Sequence, residues 1–304
     1  MSGHGKEVIK TTGLTKYYGP SLGVEELDLD INKGEIFGFL GPNGAGKTTT
    51  IRLLLGLLRP TAGSISFSGA EAKKNRPEIL RKIGYLPGDV GLYKDMTGTG
   101  FLNHFLRLRE NGISSRHEKR LMELTERFKI DFERKIAGYS KGMRQIVGIV
   151  QAFMHDPDIY ILDEPTSGLD PIMQERFYDL LLDERERGKT VFLSTHILGE
   201  AERICDRVGI IKRGRSVFLG EIEGYRSLVG KNIKVVAGAD ADMLLKILKA
   251  LKGIETIEAK GVVIEFHYRG DMRKLLRSVS SFDIVDFISE TPKIEDLFFR
   301  YYRD

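Results

Sequence analysis

Residues 36–48 read IFGFLGPNGAGKT, and this stretch decides the fold. Its first five residues predict a buried strand, and residues 50–57 continue as an apolar helix. Residues 41–48 between them match G-x-x-x-x-G-K-[ST], a pattern that needs this strand–loop–helix setting. Its glycines let the loop curl so that backbone N–H groups point at phosphate oxygens, and the helix N-terminus adds partial positive charge. The stretch therefore predicts a phosphate-binding loop.

A second element supplies carboxylates. Residues 159–164 read IYILDE, an apolar strand that ends in Asp163 and Glu164. Beside a phosphate-binding loop, such an aspartate holds Mg²⁺, usually through water, and the Thr48 hydroxyl binds the same ion. Glu164 is the better candidate for polarising the attacking water, and Lys47 would contact the β- and γ-phosphates. The two elements predict a site for a nucleoside triphosphate and Mg²⁺.

The composition fits a globular protein. Of the 304 residues, 41% are hydrophobic and 30% are charged, and the formal net charge is +4, which gives no reason to expect nucleic acid. The single cysteine excludes an internal disulfide and a four-cysteine zinc site.

We expect no spanning helix, because no uncharged stretch reaches the roughly 18 residues that a membrane crossing needs. The first ten residues carry no apolar signal core, so we expect a cytoplasmic chain.

The pattern of strands and helices changes near residue 220. Residues 1–220 alternate short apolar strands with helical patterns, which predicts a parallel sheet covered by helices. Residues 221–304 read as β-α-β-β-α-β-α, with a last helix at Lys293–Tyr302 after Pro292, which predicts a small ferredoxin-like α+β domain. We expect this second domain to be a packing and dimer-spacing module, with a regulatory ligand site as the alternative.

Three further motifs narrow the family. Residues 139–145 read YSKGMRQ before a helix, residues 167–170 read SGLD, and residues 194–196 read STH at the end of another apolar strand. With the phosphate loop and the acidic strand in this order, the chain resembles the nucleotide-binding subunits of ABC transporters from about residue 7 to 220. The resemblance implies a P-loop NTPase fold with a RecA-like α/β core, an antiparallel β subdomain and a helical subdomain at about residues 91–157.

The resemblance also implies roles for individual residues. Tyr18 looks like the aromatic residue that stacks on adenine, with Tyr17 as its rival. His196 looks like the residue that hydrogen-bonds the γ-phosphate. Ser140 and Gly142 look like the pair that caps the γ-phosphate of an ATP held by another subunit. The implied ATP-binding set is Tyr18, Gly41, Pro42, Asn43, Gly44, Ala45, Gly46, Lys47, Thr48, Thr49, Ser140 and Gly142.

A single chain of this family carries only half of each site. Hydrolysis therefore implies a head-to-tail dimer, of two copies or with a second ATPase, that holds two ATP molecules between its subunits. Asp170 looks like the residue that touches the facing subunit. Glu164, His196 and Lys47 are the expected catalytic residues, and Thr48 and Asp163 the expected metal ligands.

Two motifs depart from the usual family pattern. The family usually has glutamine after Tyr-Leu-Pro in the loop that senses Mg²⁺ and the membrane partner, whereas this chain has Gly88 and then Asp89. Either a water replaces the glutamine or Asp89 substitutes for it, and we favour the water. The motif at 139–145 carries Lys141, which adds a positive charge where an anion is expected.

The resemblance extends to a branch of the family. Gly88-Asp89 and the C-terminal residues 291–298 look like ATPases of the ABC-2 export type, which serve a separate membrane permease. The expected permease-binding surface is the helical region after Gly88, at about residues 91–135, and the expected location is the cytoplasmic face of the cell membrane. The alternatives are a soluble ABC ATPase acting in translation or DNA repair and a nucleotide sensor without turnover.

Overall fold

The chain divides into two compact units, Met1–Leu219 and Gly220–Asp304. The computed structural model describes residues 6–74, 76–109, 114–222 and 230–290. No helix in those ranges is long and apolar enough to cross a membrane.

The elements up to residue 221 alternate between strands and helices. The strands are β1 (Glu7–Tyr18), β2 (Ser21–Asn32), β3 (Ile36–Leu40), β4 (Ala62–Phe67), β5 (Ala70–Glu71), β6 (Ile83–Leu86), β7 (Ile159–Asp163), β8 (Thr190–Thr195), β9 (Arg207–Lys212) and β10 (Arg215–Glu221). The helices are α1 (Lys47–Leu54), α2 (Arg76–Arg81), α3 (Gly98–Arg109), α4 (Ser115–Phe128), α5 (Lys141–Phe153), α6 (Pro171–Glu186) and α7 (Leu198–Ile204).

The large sheet of the first unit has the strand order β10-β9-β3-β8-β7-β6. Strands β6, β7, β8, β3 and β9 pair in parallel. Every residue of β3, β7 and β8 is buried, as expected when helices cover both faces of a parallel sheet. Because the carboxyl ends of parallel strands meet at one edge, the loops after β3, β7 and β8 lie side by side.

A second sheet in this unit is antiparallel and has the order β2-β1-β4-β5. Strand β1 pairs with β2 and with β4, and its last residues are Tyr17 and Tyr18. Helices α3, α4 and α5 lie in the region of the predicted helical subdomain. The parallel core, the antiparallel sheet and the helices confirm the predicted α/β fold.

The helix α4 is bound to the core through a buried carboxylate. Glu184 of α6 is completely buried and accepts hydrogen bonds from the Tyr160 hydroxyl at 2.8 Å and from Arg187 at 2.7 Å. Its third partner is Arg120 of α4. Burial and then the neighbouring Glu184 raise the pKa of the Tyr160 hydroxyl, which therefore stays protonated and donates.

The second unit has its own core and a βαββαβ order. Its elements are β11 (Lys231–Ala237), α8 (Ala241–Ala250), β12 (Ile254–Lys260), β13 (Val263–Tyr268), α9 (Met272–Val279) and β14 (Ile284–Glu290). The sheet order is β12-β13-β11-β14 with antiparallel pairs, which is the ferredoxin-like arrangement predicted from the sequence. Asp271 caps α9 by accepting from the Arg273 N–H. The predicted helix at 293–302 lies outside the described residues.

The Glu184 contacts give a prediction for stability. Replacement of Glu184 by alanine leaves Arg120 and Arg187 without this carboxylate, and it should lower the free energy of unfolding by about 3 kcal/mol. Chemical denaturation followed by circular dichroism measures the change. The matched control is Glu123→Ala, because Glu123 lies 3.6 Å from the same Arg120 but is half-exposed, and it should cost less than about 1 kcal/mol. Equal costs for the two variants would contradict the role given to Glu184.

Candidate active site

The phosphate loop joins β3 to α1, as the sequence predicts. Gly46, at the start of α1, has a φ of 116°, in the region that favours glycine. A Cβ on Gly46 would lie 2.8 Å from the carbonyl oxygen of Gly23, so a larger residue would push the loop away from β2. The loop therefore needs glycine here for both its conformation and its packing.

Lys47 lies inside the curl of this loop. Its ammonium donates to the carbonyl oxygens of Gly41 at 2.6 Å and Pro42 at 3.2 Å, and its Nζ is 3.1 Å from Oε1 of Glu164. The residue is only 5% exposed. A buried cation at the mouth of a helix N-terminus is well placed to bind an anion, and an incoming phosphate would compete with Glu164 for it.

Asp163, at the end of β7, is held from both sides. Oδ2 accepts from the Thr48 hydroxyl at 2.8 Å, and Oδ1 accepts from the Ser194 hydroxyl at 2.5 Å. The parallel register of β7 and β8 places Asp163 directly opposite Ser194. The carboxylate is therefore fixed in direction beside the first residues of α1, and it offers oxygen ligands of the kind that Mg²⁺ prefers.

Glu164 has an uncommon backbone. Its φ is 48°, in the left-handed region, and its N–H donates to Ser194, to the carbonyl oxygen at 3.2 Å and to the hydroxyl at 3.1 Å. This conformation directs the carboxylate to Lys47 and to His196, whose Nδ1 lies 2.8 Å from Oε2. The structure thus brings together the three residues predicted to be catalytic.

The two tyrosines at the end of β1 have different surroundings. The Tyr17 hydroxyl donates to Glu25 at 2.6 Å, and this hydrogen bond raises the pKa of Tyr17. The Tyr18 ring lies against Gly23, where an added Cβ would be 2.8 Å from Cε2 of the ring, and its hydroxyl is 3.4 Å from the Thr49 hydroxyl. Of the two rings, Tyr18 is therefore the one placed beside the phosphate loop.

These residues enclose a cavity of about 350 Å³. The antiparallel sheet contributes an aromatic ring, a leucine and a glycine to the lining, and the phosphate loop, the start of α1 and an acidic residue contribute the rest. The lining residues are Tyr18, Leu22, Gly23, Asn43, Gly44, Gly46, Lys47, Thr48, Thr49 and Glu164. The cavity can hold an aromatic base at one end and phosphates at the other.

The predicted γ-phosphate cap lies at the start of α5. Ser140 is the N-cap of this helix and accepts from the Met143 N–H at 3.2 Å, which leaves its hydroxyl proton free to donate. Neither Ser140 nor Gly142 is among the residues that line the cavity. Asp170 similarly caps α6 by accepting from the Met173 N–H at 3.0 Å.

Gly88 lies directly against the acidic strand. A Cβ on this residue would lie 3.3 Å from Oδ2 of Asp163, which is tighter than most side chains tolerate. Asp89 is exposed. The loop after β6 thus approaches Asp163 through backbone. What replaces the glutamine of the usual pattern stays a prediction.

Three residues of the site were not predicted. Ser194 orients both acidic residues, and its signal was its place in the STH motif, at the end of the strand that pairs with the acidic strand. Gln145 is 4% exposed and donates to the carbonyl oxygen of Pro165 at 2.9 Å. Gly23 makes room for the Tyr18 ring, and nothing in the local sequence marks that contact.

Comparison with known proteins identifies the family to which this chain belongs. A family model described as ABC transporter matches residues 24–167. The bacitracin transport ATP-binding protein BcrA of Bacillus licheniformis is 37% identical over 96% of both chains. The chain belongs to the ATP-binding subunits of ABC transporters. The Nod factor export ATP-binding protein I of Cupriavidus pinatubonensis is 33% identical to this ATPase over 96% of the chain and 90% of the relative.

The fold of this ATPase is similar to that of a solved cassette that forms a dimer. The post-hydrolysis state of the ATP-binding cassette MJ0796, solved as a dimer with ADP and Pi, matches with a TM-score of 0.64 and 26% identity. The match covers 70% of this chain and 98% of that one. The ATPase subunit described here therefore binds and hydrolyses ATP with the fold of that cassette.

The loop after β6 gives a prediction for metal dependence. Asp89→Ala should change the Mg²⁺ concentration for half-maximal ATP hydrolysis by no more than about twofold, because Asp89 is an exposed residue. Gly88→Ala should raise that concentration, because its Cβ would press on the carboxylate of Asp163. Titration of Mg²⁺ at saturating ATP measures both values. A tenfold change in Asp89→Ala would mean that Asp89, and not water, replaces the missing glutamine.

Proposed function

We propose that this chain is the motor subunit of an ABC-2 type exporter, in which two ATPase subunits hold two Mg-ATP molecules between them and drive a separate permease. The observation that carries the proposal is the meeting of Lys47, Glu164 and His196 within hydrogen-bonding distance at the edge of one cavity. This arrangement joins a phosphate-binding cation to a candidate general base.

In the proposed site, ATP lies along the cavity. Tyr18 stacks on the adenine, and the curled loop and Lys47 bind the β- and γ-phosphates. Because Lys47 is shared with Glu164, binding of the phosphates releases the Glu164 carboxylate from this ion pair. ATP binding and the freeing of the base are then the same event.

Mg²⁺ belongs to this proposal as well. Thr48 and Asp163 would hold it, and their oxygens fit the ion because it prefers oxygen ligands and keeps several waters. The described residues contain no group of three or more His, Cys, Asp or Glu that could hold a metal ion alone, so the triphosphate would complete the ligand set. When bound, the ion neutralises charge on the phosphates during transfer.

Hydrolysis in the proposed site depends on side chains that position the attacking water and the γ-phosphate. Glu164 orients and polarises the attacking water, since its backbone is fixed by Ser194 and its carboxylate by His196. His196 then hydrogen-bonds the γ-phosphate. Catalysis comes from these placed charges and from orientation rather than from a covalent step.

The second half of each site comes from another ATPase subunit. Ser140 and Gly142 lie at the N-terminus of α5, where a helix favours an anion, and they lie outside the cavity of their own chain. They would therefore reach the γ-phosphate of the facing subunit, next to Asp170. The dimeric cassette MJ0796 supports this arrangement.

The permease would dock on an exposed aromatic patch of Tyr93, His104, Phe105 and Leu108, which we call the docking patch. Tyr93 is 56% exposed and stacks on Phe105 with ring centroids 6.0 Å apart. Leu108, one turn further along α3, is 69% exposed. An exposed apolar patch of this kind suits an apolar segment of a partner. It follows the Gly88 loop in sequence, so the partner would lie near the site.

Export and location come from the relatives. The relatives BcrA and Nod factor export protein I are by name a bacitracin transport and a Nod factor export protein, so export is the best supported task. The ATPase would then act at the cytoplasmic face of the cell membrane, bound to its permease.

The dimer gives a prediction for Glu164→Gln. This variant keeps the shape of the side chain, abolishes the base, and removes a negative charge that competes with the phosphates for Lys47. It should lower the ATPase rate by at least about a hundredfold and should elute as a dimer at saturating Mg-ATP in size-exclusion chromatography. A monomer under these conditions, with ATP bound, would contradict the sandwich arrangement.

The docking patch gives a separate prediction. Tyr93→Ser should weaken binding to membrane vesicles that carry the partner permease by about tenfold or more, because an aromatic anchor is lost. Val217→Ser is the matched control, since Val217 is 57% exposed on β10, away from α3. Co-sedimentation with the vesicles measures both affinities. Equal binding of the two variants would place the permease contact elsewhere.

A further inference from the structure

The start of α5 is tied to residues 167–170, which we call the contact turn. The ammonium of Lys141 donates to the Ser167 hydroxyl at 2.9 Å. The stem of Lys141 passes over Gly168, where an added Cβ would lie 2.9 Å from Cδ of the lysine. Gly168 has a φ of 80°, so its lack of a side chain serves both the turn and this packing.

Two further contacts join the same helix to the same segment. A Cβ on Gly142 would lie 2.6 Å from the carbonyl oxygen of Gly168, so the two backbones touch only because residue 142 is glycine. The buried Gln145 donates to the carbonyl oxygen of Pro165 at 2.9 Å. The first turns of α5 thus hold the chain from Pro165 to Gly168, immediately after Glu164.

Lys141 carries a positive charge in the first turn of α5. A cation in the first turn of a helix interacts unfavourably with the helix dipole. Lys141 bends to Ser167, so its ammonium is used within its own chain. The role of the Lys141 charge toward a nucleotide stays a prediction, and the observed partner of its ammonium is Ser167.

We propose that Lys141 is a positioning residue that clamps the contact turn onto the start of α5. The clamp rests on the proposed function, because Ser140, Gly142 and Asp170 are there assigned to the site of the facing subunit. With the clamp closed, these residues form one body with the backbone that follows Glu164. A change at one nucleotide is then passed to the other through Lys141 and Gln145.

The clamp and a direct nucleotide contact predict different behaviour. If Lys141 only orders the contact turn, its loss acts on turnover and on the coupling of the two sites. If Lys141 touches a phosphate, its loss acts on nucleotide affinity, and Ser167 has no part in the effect. The hydroxyl of Ser167 therefore separates the two roles.

The experiment compares Lys141→Met, Ser167→Ala and the double variant in the full chain. Each single variant should lower kcat for ATP about three- to tenfold, with the ATP dissociation constant unchanged within about twofold. The double variant should be no worse than either single variant, because both remove the same contact. The Hill coefficient for ATP, which we expect to be above one in the unaltered protein, should fall toward one in all three.

Two controls complete the design. Lys141→Arg keeps a long stem and a donor and should retain the kcat and Hill coefficient of the unaltered chain. Lys73→Met removes an exposed lysine outside the site and should change neither value. Thermal unfolding of each variant measures folding separately from turnover.

The clamp would be overturned by additive losses in the double variant, by weaker ATP binding in Lys141→Met alone, or by full activity in Ser167→Ala. Failure of the proposed function has a different signature. In that case the unaltered chain would hydrolyse ATP without cooperativity, or would not form a dimer as Glu164→Gln.

Discussion

The hydrogen bond from Ser194 to Asp163 is the contact around which the site is built. The parallel register of β7 and β8 sets the two residues opposite each other, and their 2.5 Å contact fixes one oxygen of the carboxylate. The other oxygen faces Thr48 of the phosphate loop. Ser194 also receives the N–H of Glu164 and supports its left-handed backbone. One hydroxyl therefore orients both Asp163 and Glu164, while the paired strands supply the rigidity.

Residues that are close in sequence allowed much of this site to be predicted. The phosphate loop and the acidic strand end are local patterns whose residue types follow from the chemistry of phosphate and Mg²⁺, and the structure joins them at Thr48 and Asp163. The ferredoxin-like order of the second unit was likewise readable from its alternating strands and helices. In both cases the information lies within about fifteen residues, where periodicity and turn chemistry act.

Contacts between distant residues could not be predicted in the same way. Alternation along β1 does not tell which of Tyr17 and Tyr18 faces the loop, since bulges shift the pairing with β2 there. The answer depends on Glu25 and Gly23, on the other strand. The partner of Lys141 is also 26 residues away and becomes visible only when α5 lies beside the contact turn. Such pairs follow from packing rather than from propensity, so one sequence does not reveal them.

Because Gly88 lies close to Asp163, the loop after β6 is a short connection between the acidic strand and the docking patch. Gly88 and Tyr93 of the docking patch are only five positions apart in sequence, a span of at most about 17 Å of extended chain. Residue 88 has no side chain, and a Cβ there would lie 3.3 Å from Oδ2 of Asp163, so the space between this loop and the carboxylate is small. A displacement of the docking patch would then change the space around the carboxylate of Asp163. A permease bound at the docking patch would then influence the nucleotide by altering the space around Asp163.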